Sequence, residues 1–355
     1  MKRIIYFLFF CCTAFYAQSQ SSPADSLLNF IRSNKARSSI YLVQNDTVLA
    51  HLNENKLMPL ASTVKIMVAI EFAKQAGSHV IDEENYVSLT ELDKYYLANT
   101  DGGAHPAWIA YEQKQNHIKN DSAKLIDIAR GMILFSSNAN TEYLMDLLGM
   151  DNVKNNIQLL GLKQHTAIYP LVASLFVYQN PRNKSEESIL KGIRKLNEEQ
   201  YSRFIFDIHN ALKYNPELKQ KFRPQDLSVK MQKLWSDRLT ASTTKEYAHI
   251  GKVLNNRKYF DSEAYAVLSE VLESIMENPA NRQWLKHAGM KGGSTMFVLT
   301  KCLYATTKND TKIEMAYFFN DLSESENKGL QSWMNAFELQ VLSNESFRKK
   351  LAAGF

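Results

Sequence analysis

The sequence predicts a mixed α/β protein of the α+β, two-lobe kind. An antiparallel sheet of N- and C-terminal strands, flanked by helices, would adjoin a large all-helical lobe. Near the N-terminus, SSIYLVQN and TVLAHLN are two short β-rich runs joined by Asn45 and Asp46, a pattern typical of a hairpin. Near the C-terminus, MKGGSTMFVLTKCLYATTK and KIEMAYFFND alternate as strands. Strands from the two ends can therefore meet in one sheet, with the helical middle packed beside it.

The first half of the chain contains three further signals. SPADSLLNFIRSN begins with Ser22 and Pro23, two residues that favour a helix start. An almost wholly apolar face predicts a helix from Thr63 to about Gly77. The run NTDGGAHPAW at 99–108 predicts a loop, because it contains two adjacent glycines and a proline.

The second half is predominantly helical until the last strands. Helical spacing covers 122–135 and continues through SSNANTEYLMDLLG. The stretch 181–239 is rich in Lys, Glu and Asn with interspersed apolar residues, which predicts helices with solvated faces. Two amphipathic helices, TTKEYAHIGKVLNN and DSEAYAVLSEVLESIMEN, precede the C-terminal strands, and LQSWMNAFELQVLSN closes the chain as a helix.

The first twenty residues have the pattern of a secretory signal. Lys2 and Arg3 precede an apolar stretch from Ile4 to about Ala17, which predicts a signal peptide at 1–17. The alternative is an uncleaved anchor. That stretch is short for a bilayer span, and no later segment reaches the roughly 18 apolar residues that a span needs. We therefore expect an exported protein, periplasmic or secreted.

The mature chain is predicted to be one domain, 18–355. Its sheet lobe would comprise 22–60 and 288–355, and its helical lobe 61–287. Cleavage would also remove Cys11 and Cys12 and leave only Cys302, so that the core and not a disulfide must stabilise the domain. We expect a monomer.

Composition excludes several classes of function. The 355 residues are 45% hydrophobic and 22% charged, as in ordinary globular proteins. The net charge of +5 falls to +3 without Lys2 and Arg3, and no basic run gives a reason to expect a nucleic-acid partner. The eight histidines are scattered, with no HExxH or Cys/His cluster, so no metal or other cofactor is expected.

The most informative short stretch is LMPLASTVKIM at 57–67. A Ser followed three residues later by Lys occurs five times in this chain, but only the pair Ser62–Lys65 is embedded in apolar sequence, where burying a lysine is costly. On a helix the two side chains share a face. Desolvation would lower the lysine pKa, so that a neutral amine could accept the serine proton. The alternative is a Ser N-cap with a Lys whose ammonium reaches solvent.

Two other stretches carry polar groups suited to the same chemistry. SSNAN at 136–140 follows an amphipathic helix, which would let the Ser136 hydroxyl and the Asn138 amide project into a shared cleft. MKGGST at 290–295 opens a predicted strand, where paired glycines let another backbone or a ligand approach closely. The alternatives are a capping turn for the first stretch and a simple turn for the second.

In chain order, S-x-x-K, S-x-N and K-G-G resemble the three signatures of the penicillin-recognising serine hydrolases. The chain looks most like their class A β-lactamase branch, in which TASTTKEYAHIGKVL resembles the helix that precedes the K-G-G strand. The resemblance covers most of the mature chain and implies the β-lactamase or transpeptidase fold. It also implies that Ser62 is the nucleophile, that Lys65 activates it, and that Ser136 relays a proton toward the leaving nitrogen.

The same resemblance implies the substrate-binding groups. Asn138 would hold the substrate amide, and Lys291 would attract the substrate carboxylate. The backbone N–H groups of Ser62 and Ser294 would form the oxyanion hole, and Gly293 would be a further substrate-binding residue.

The sequence departs from the class A pattern at several positions. Ser137 stands where the family has Asp, and Gly292 where it has a hydroxyl residue. The class A deacylating glutamate, which precedes a proline about 35 residues after the second motif, has no counterpart here, because Tyr169 precedes Pro170. Glu142, one turn beyond Asn138, is a speculative substitute base, against the alternative of a solvent-facing helix glutamate.

These observations predict a serine acyl-transfer hydrolase, most like a β-lactamase, acting on an amide, lactam or ester carbonyl of a small molecule or cell-wall peptide. A D-alanyl peptidase, penicillin-binding or esterase activity with slow β-lactam deacylation is one alternative. A non-catalytic domain that senses β-lactams or wall fragments is another. The substrate and the deacylating group are left open.

Overall fold

The computed structural model describes residues 21–179 and 184–355, so the leader predicted at 1–17 lies outside the described residues. The described strands are β1 Ser38–Gln44, β2 Thr47–Leu52, β3 Met58–Pro59, β4 Tyr86–Ser88, β5 Ser122–Lys124, β6 Ala241–Ser242, β7 Leu285–Ser294, β8 Leu299–Thr307 and β9 Lys312–Phe319. The helices of residues 21–179 are α1 Pro23–Ser33, α2 Lys65–Gly77, α3 Leu89–Asp93, α4 Ala104–Lys114, α5 Leu125–Leu134, α6 Asn138–Leu148, α7 Met150–Leu159 and α8 Leu171–Phe176. Beyond them the helices are α9 Glu186–Arg194, α10 Glu198–Tyr214, α11 Pro216–Gln220, α12 Val229–Asp237, α13 Thr244–Asn256, α14 Ser262–Leu272, α15 Pro279–Trp284, α16 Glu324–Ser343 and α17 Glu345–Ala352.

Strands from both chain ends form one antiparallel sheet, as predicted. Its order is β2-β1-β9-β8-β7, so the N-terminal hairpin joins the C-terminal strands where β1 pairs with β9. Ile40 lies opposite Tyr317 in that pairing. The α+β fold with two lobes is thereby confirmed.

The sheet separates two apolar cores, because alternate residues of a strand point to opposite faces. On β9, Met315, Tyr317 and Phe319 pack with α1, α16 and α17. Ala316 and Phe318, on the same strand, pack with α2, α5, α6, α13 and α14. The second core therefore joins the sheet to the helical lobe and contains most of α2, the helix that follows Ser62.

A third core lies within the helical lobe. It is built mainly by α8 to α12, from residues such as Phe176, Ile205 and Met231. The two-stranded ladder of β3 and β6 ties the far end of this segment to the chain just before Ser62, with Met58 opposite Ser242 and Pro59 opposite Ala241. The segment that the sequence predicted as charged helices thus folds back beside the serine.

Several element bounds differ from the sequence prediction. The predicted loop at 99–108 contains the start of α4, and the predicted helix at 122–135 begins with the short strand β5. The predicted strand at 290–308 is two strands, β7 and β8, separated by a turn at 295–298. There the Thr295 N–H donates to the Val298 carbonyl at 2.9 Å, and the Thr295 hydroxyl accepts from the N–H groups of Phe297 and Val298. The spacing of apolar residues could not predict this turn, because Met296, Phe297 and Val298 continue the apolar run through it.

The described residues include no helix long and apolar enough to cross a membrane. Cys302 is buried as a free thiol in the core between β8 and α13, and it donates to the Tyr247 carbonyl at 3.2 Å. The domain bounds given above stay a prediction.

The end of α2 packs on the start of α14 so closely that a methyl group does not fit between them. A Cβ placed on Gly77 would lie 2.6 Å from the Ala264 nitrogen, whereas one on Gly192, in the exposed part of α9, would meet nothing within 4 Å. We expect Gly77→Ala to lower the free energy of unfolding by about 1–3 kcal/mol. Gly192→Ala should leave it unchanged or raise it by up to about 1 kcal/mol. Urea unfolding of both variants measures this, and equal effects would contradict the packing described.

Candidate active site

Ser62 lies in a single 3₁₀ turn, Ala61–Val64, that leads directly into α2. Ala61 has a φ of 45°, which makes the chain bend sharply before the serine. The Thr300 hydroxyl donates to the Leu60 carbonyl at 2.7 Å and also contacts the Thr63 hydroxyl at 2.8 Å. The turn is therefore fixed to β8, and Ser62 is left half-buried at its surface.

Lys65, the first residue of α2, is completely buried, with 0% exposure. Its Nζ donates to the Ser136 carbonyl at 2.6 Å, to the Asn138 Oδ1 at 2.8 Å and to the Ser136 Oγ at 3.3 Å. Within the described chain no hydrogen bond joins Lys65 to Ser62. The alternative of a lysine reaching solvent is excluded by this burial, and the amine is held by the second sequence motif.

Burial lowers the pKa of Lys65 to about 7, against the opposing effect of the Asp101 and Glu142 carboxylates. Neither carboxylate forms a salt bridge with it among the described residues. Near neutral pH a large fraction of this amine is consequently neutral and able to accept a proton.

Ser136 links the two buried lysines. Its φ of 67° is unusual for a residue with a side chain. Its Oγ accepts from the Nζ of Lys65 at 3.3 Å and from the Nζ of Lys291 at 3.0 Å. Lys291, on β7, is 4% exposed and also donates to the Gly292 carbonyl at 2.9 Å. Burial, with the charges of Lys65 and Lys301, holds the pKa of Lys291 well below its ordinary value.

Gly293 allows β7 to lie against the Ser62 turn. A Cβ at this position would stand 2.5 Å from both the Leu60 oxygen and the Ser62 nitrogen. A Cβ on the preceding Gly292 would meet only ordinary contacts, the nearest at 3.4 Å. Of the two glycines that the sequence marked for close approach, only Gly293 must therefore lack a side chain, and at that residue β7 lies directly against the backbone of the Ser62 turn.

These groups open on a cleft of about 570 Å³ between the sheet and the helical lobe. Ser62, Ser136, Asn138, Gly293 and Ser294 all line it. The structure therefore brings together five of the residues singled out in the sequence, with Lys65 and Lys291 buried beneath them.

Other parts of the chain complete the walls of the cleft. Asp101 comes from the loop before α4, Trp235 and Leu239 come from the region of α12, and Met334 comes from α16. Among the described lining residues, Asp101 is the only carboxylate. Its two oxygens accept from the N–H groups of Gly103 at 3.1 Å and His105 at 3.0 Å, so it caps α4. No sequence motif marked Trp235 or Leu239 as part of the site, because they reach the cleft only through the fold of the helical lobe.

Glu142 does not line the cleft. It is 2% exposed, so it is not a solvent-facing glutamate either. One carboxylate oxygen accepts from the Val172 N–H at the start of α8, and the other contacts the His209 Nδ1 at 3.1 Å. Burial lowers the pKa of His209, but hydrogen bonds to Asp146 and Glu142 outweigh burial and raise it to about 9. Glu142 thus joins α6 to α8 and α10, and its speculative role as a base has no support in this geometry.

The other departures from the class A pattern have structural roles. Ser137 is buried, caps α6 and contacts the His105 Nδ1 at 2.9 Å. Tyr169 is also buried, and its hydroxyl donates to the Arg238 carbonyl. Pro170 directly precedes α8. A helix that packs on the third core therefore occupies the region where the class A pattern has its glutamate.

The fold is that of a two-lobed α+β hydrolase with a serine, a lysine and a second serine at the lobe interface. The chain belongs to the beta-lactamase enzyme family, whose model matches residues 22–268. No curated protein matches the sequence.

Several solved structures share the fold at low sequence identity. A class A beta-lactamase from Bacteroides cellulosilyticus is 14% identical, with a TM-score of 0.50 over 89% of this chain and 100% of that one. A beta-lactamase from Sphaerobacter thermophilus is 15% identical, with a TM-score of 0.53 over 90% and 97%. PBP-A, as a point mutant in an acyl-enzyme complex with penicillin G, is 12% identical, with a TM-score of 0.50 over 89% and 95%.

The burial of Lys65 predicts a distinctive pH dependence of stability. A lysine whose folded-state pKa is about 7 binds fewer protons than in the unfolded chain between about pH 7 and 10.5, so wild-type stability rises across that range. Lys65→Met removes the part of this dependence that comes from Lys65, whereas the buried Lys291 keeps its own. We expect the wild type to gain a few kcal/mol relative to the variant between pH 6.5 and pH 10. Urea unfolding at the two pH values measures it, with the exposed Lys245→Met as control, and parallel curves would refute the buried amine.

Proposed function

We propose that this protein is a serine acyl-transfer hydrolase that forms an acyl-enzyme on Ser62 from an amide, lactam or ester carbonyl. Family membership and fold support a serine hydrolase of the β-lactamase type. The observation that carries the finer proposal is the buried Lys65. It contacts Ser136, lacks a carboxylate partner and stands one turn from Ser62.

The proposed reaction follows from these positions. The neutral Lys65 amine takes the proton from the Ser62 Oγ as that oxygen attacks the carbonyl carbon. The N–H groups of Ser62 and Ser294 stabilise the oxyanion of the tetrahedral intermediate. For an amide or lactam, the carbon–nitrogen bond then breaks, and the proton passes from Lys65 through the Ser136 Oγ to the leaving nitrogen. The Ser136–Lys65 and Ser136–Lys291 contacts, at 3.3 and 3.0 Å, support this route.

Substrates with a carboxylate are favoured by the charge of the cleft. Lys291 and Lys65 lie beneath it and Lys301 at its wall, while Asp101 is the only carboxylate among its described lining residues. A substrate carboxylate would restore the full charge of Lys291, because an opposite charge at close range favours the ammonium form. Asn138, which lines the cleft, would hold the substrate amide.

Slow deacylation is part of the proposal. Asp101 is engaged in capping α4, and Glu142 is engaged by Val172 and His209. With no free carboxylate to activate water among the described lining residues, the acyl-enzyme would persist. This observation favours, as a second candidate, a D-alanyl peptidase or penicillin-binding activity over rapid β-lactam turnover. Export to the periplasm or beyond and a monomeric state remain predictions.

Intact-protein mass spectrometry after exposure to a reporter penicillin tests the nucleophile. We expect the wild type to gain the mass of one penicillin, persisting for minutes or longer, and Ser62→Ala to gain none. Ser188→Ala is the matched control, because Ser188 begins an exposed S-x-x-K pair on α9 and should not affect labelling. Rapid hydrolysis without an adduct would refute slow deacylation but keep a Ser62-dependent lactamase. If neither an adduct nor turnover is seen, the proposal that this enzyme reacts with penicillins is wrong. That result would favour a binding domain or an enzyme with a different substrate.

The role of Lys65 has its own signature. Because attack requires the neutral amine, the acylation rate should fall about tenfold per pH unit below pH 7. Lys65→Ala should suppress acylation while circular dichroism shows that the fold is kept. A variant that still acylates at the wild-type rate would contradict the proton-acceptor role. Stopped-flow labelling from pH 5 to pH 9 measures both effects.

A further inference from the structure

Three potential metal ligands converge on the hairpin formed by α4 and α5, outside the cleft. Glu112 lies in the last turn of α4, Asp127 in the first turn of α5, and His117 in the connection between them. One ligand atom from each, two carboxylate oxygens and a His117 ring nitrogen, lie within 4.8 Å of one another. The Glu112 Oε2 is 2.7 Å from the His117 Nδ1, which is 3.7 Å from the Asp127 Oδ1.

The two carboxylates are buried, which distinguishes this cluster from an ordinary acidic surface. Glu112 is 2% exposed and Asp127 is 8% exposed. The Asp127 carboxylate accepts no hydrogen bond from any described residue, although it points into the cluster. Both carboxylates have one imidazole as their only ion-pair partner among the described residues, and a divalent cation would compensate their charges more fully.

The nearby basic residues form their ion pairs elsewhere. Arg130, one turn along α5, donates to Glu277 and to the Glu270 carbonyl at 3.1 Å. Lys124 forms an ion pair with Glu84. Among the described residues, only His117 makes an ion-pair contact with either buried carboxylate.

We propose that Glu112, His117 and Asp127 bind a divalent transition-metal ion, Zn²⁺ by ligand chemistry, at a site separate from the serine cleft. One imidazole nitrogen and two carboxylate oxygens are ligands that zinc accepts, and their two negative charges balance those of the ion. A tetrahedral site with ligand bonds of about 2.0–2.1 Å separates its ligand atoms by roughly 3.3 Å. Small side-chain rotations reach that value from the distances above. The exposed side of His117 leaves room for a water as fourth ligand.

The backbone around the site is held in place before any ion binds. The Trp108 Nε1 of α4 donates to the Asp127 carbonyl of α5 at 3.2 Å, and the His117 N–H donates to the Glu112 carbonyl at 3.0 Å. Zinc would therefore crosslink two helices already in register. Asp101 precedes α4 and Ser136 follows α5, so the crosslinked hairpin carries two lining residues of the cleft at its opposite end.

Zinc titration of the metal-stripped, untagged mature protein tests the site without any activity assay. We expect one equivalent of Zn²⁺ to bind the wild type and raise its Tm. His117→Ala and Asp127→Asn should each weaken binding more than tenfold, since even outer-shell changes cost roughly 10- to 100-fold. His249→Ala, which removes an exposed histidine elsewhere, is the control and should bind as the wild type does.

The titration also has outcomes that overturn the proposal. If the wild type binds no stoichiometric zinc, or if both variants bind as tightly as the wild type, His117 is only a counter-ion for two buried carboxylates. His117→Ala decides the matter even if Asp127→Asn folds poorly, because the imidazole is about half exposed, at 48%, and belongs to none of the apolar cores. Circular dichroism of each variant checks this.

Discussion

The site depends on one costly arrangement, an amine buried without a carboxylate partner. Removing an ammonium from water is unfavourable, so Lys65 is held by neutral oxygens of Ser136 and Asn138 and its pKa falls to about 7. Lys291 is buried as well, and the charge of Lys65 adds to the burial that lowers the pKa of Lys291. The rest of the fold supplies the rigidity that keeps these groups together, from the Thr300 contact with the Ser62 turn to the apolar core around α2.

The carboxylates of the helical lobe are used for structure. Glu142 joins α6 to the N-terminus of α8 and to His209, and Asp146 takes the other side of that imidazole at 3.0 Å. This network fixes the segment that contributes Leu171 and Trp235 to the cleft wall. A buried ionic network of this kind specifies one arrangement of helices more than it adds net stability. The network therefore holds the helical lobe in place without putting a glutamate next to Ser62, and no glutamate is among the described residues that line the cleft.

Much of the architecture was accessible from periodicity. The strand pattern at both chain ends predicted the sheet. The apolar setting of Ser62 and Lys65 singled out the one S-x-x-K pair of five whose lysine is buried. Local turns were harder, because Met296 to Val298 continue an apolar run through a bend. The buried face of a helix or strand is visible in the sequence as regularly spaced apolar residues. A turn depends on a few hydrogen bonds and produces no such spacing.

The sequence by itself determined the class of fold, the buried Ser62 turn and the polar groups of the three motifs. Only the tertiary structure decided that Lys65 contacts Ser136 and not Ser62, that Gly293 and not Gly292 must lack a side chain, and that Glu142 faces His209. The physical reason is that these facts concern distances between segments far apart in the chain. Such distances are set by how the sheet, α2 and the helical lobe pack together, and no local pattern of residues encodes them.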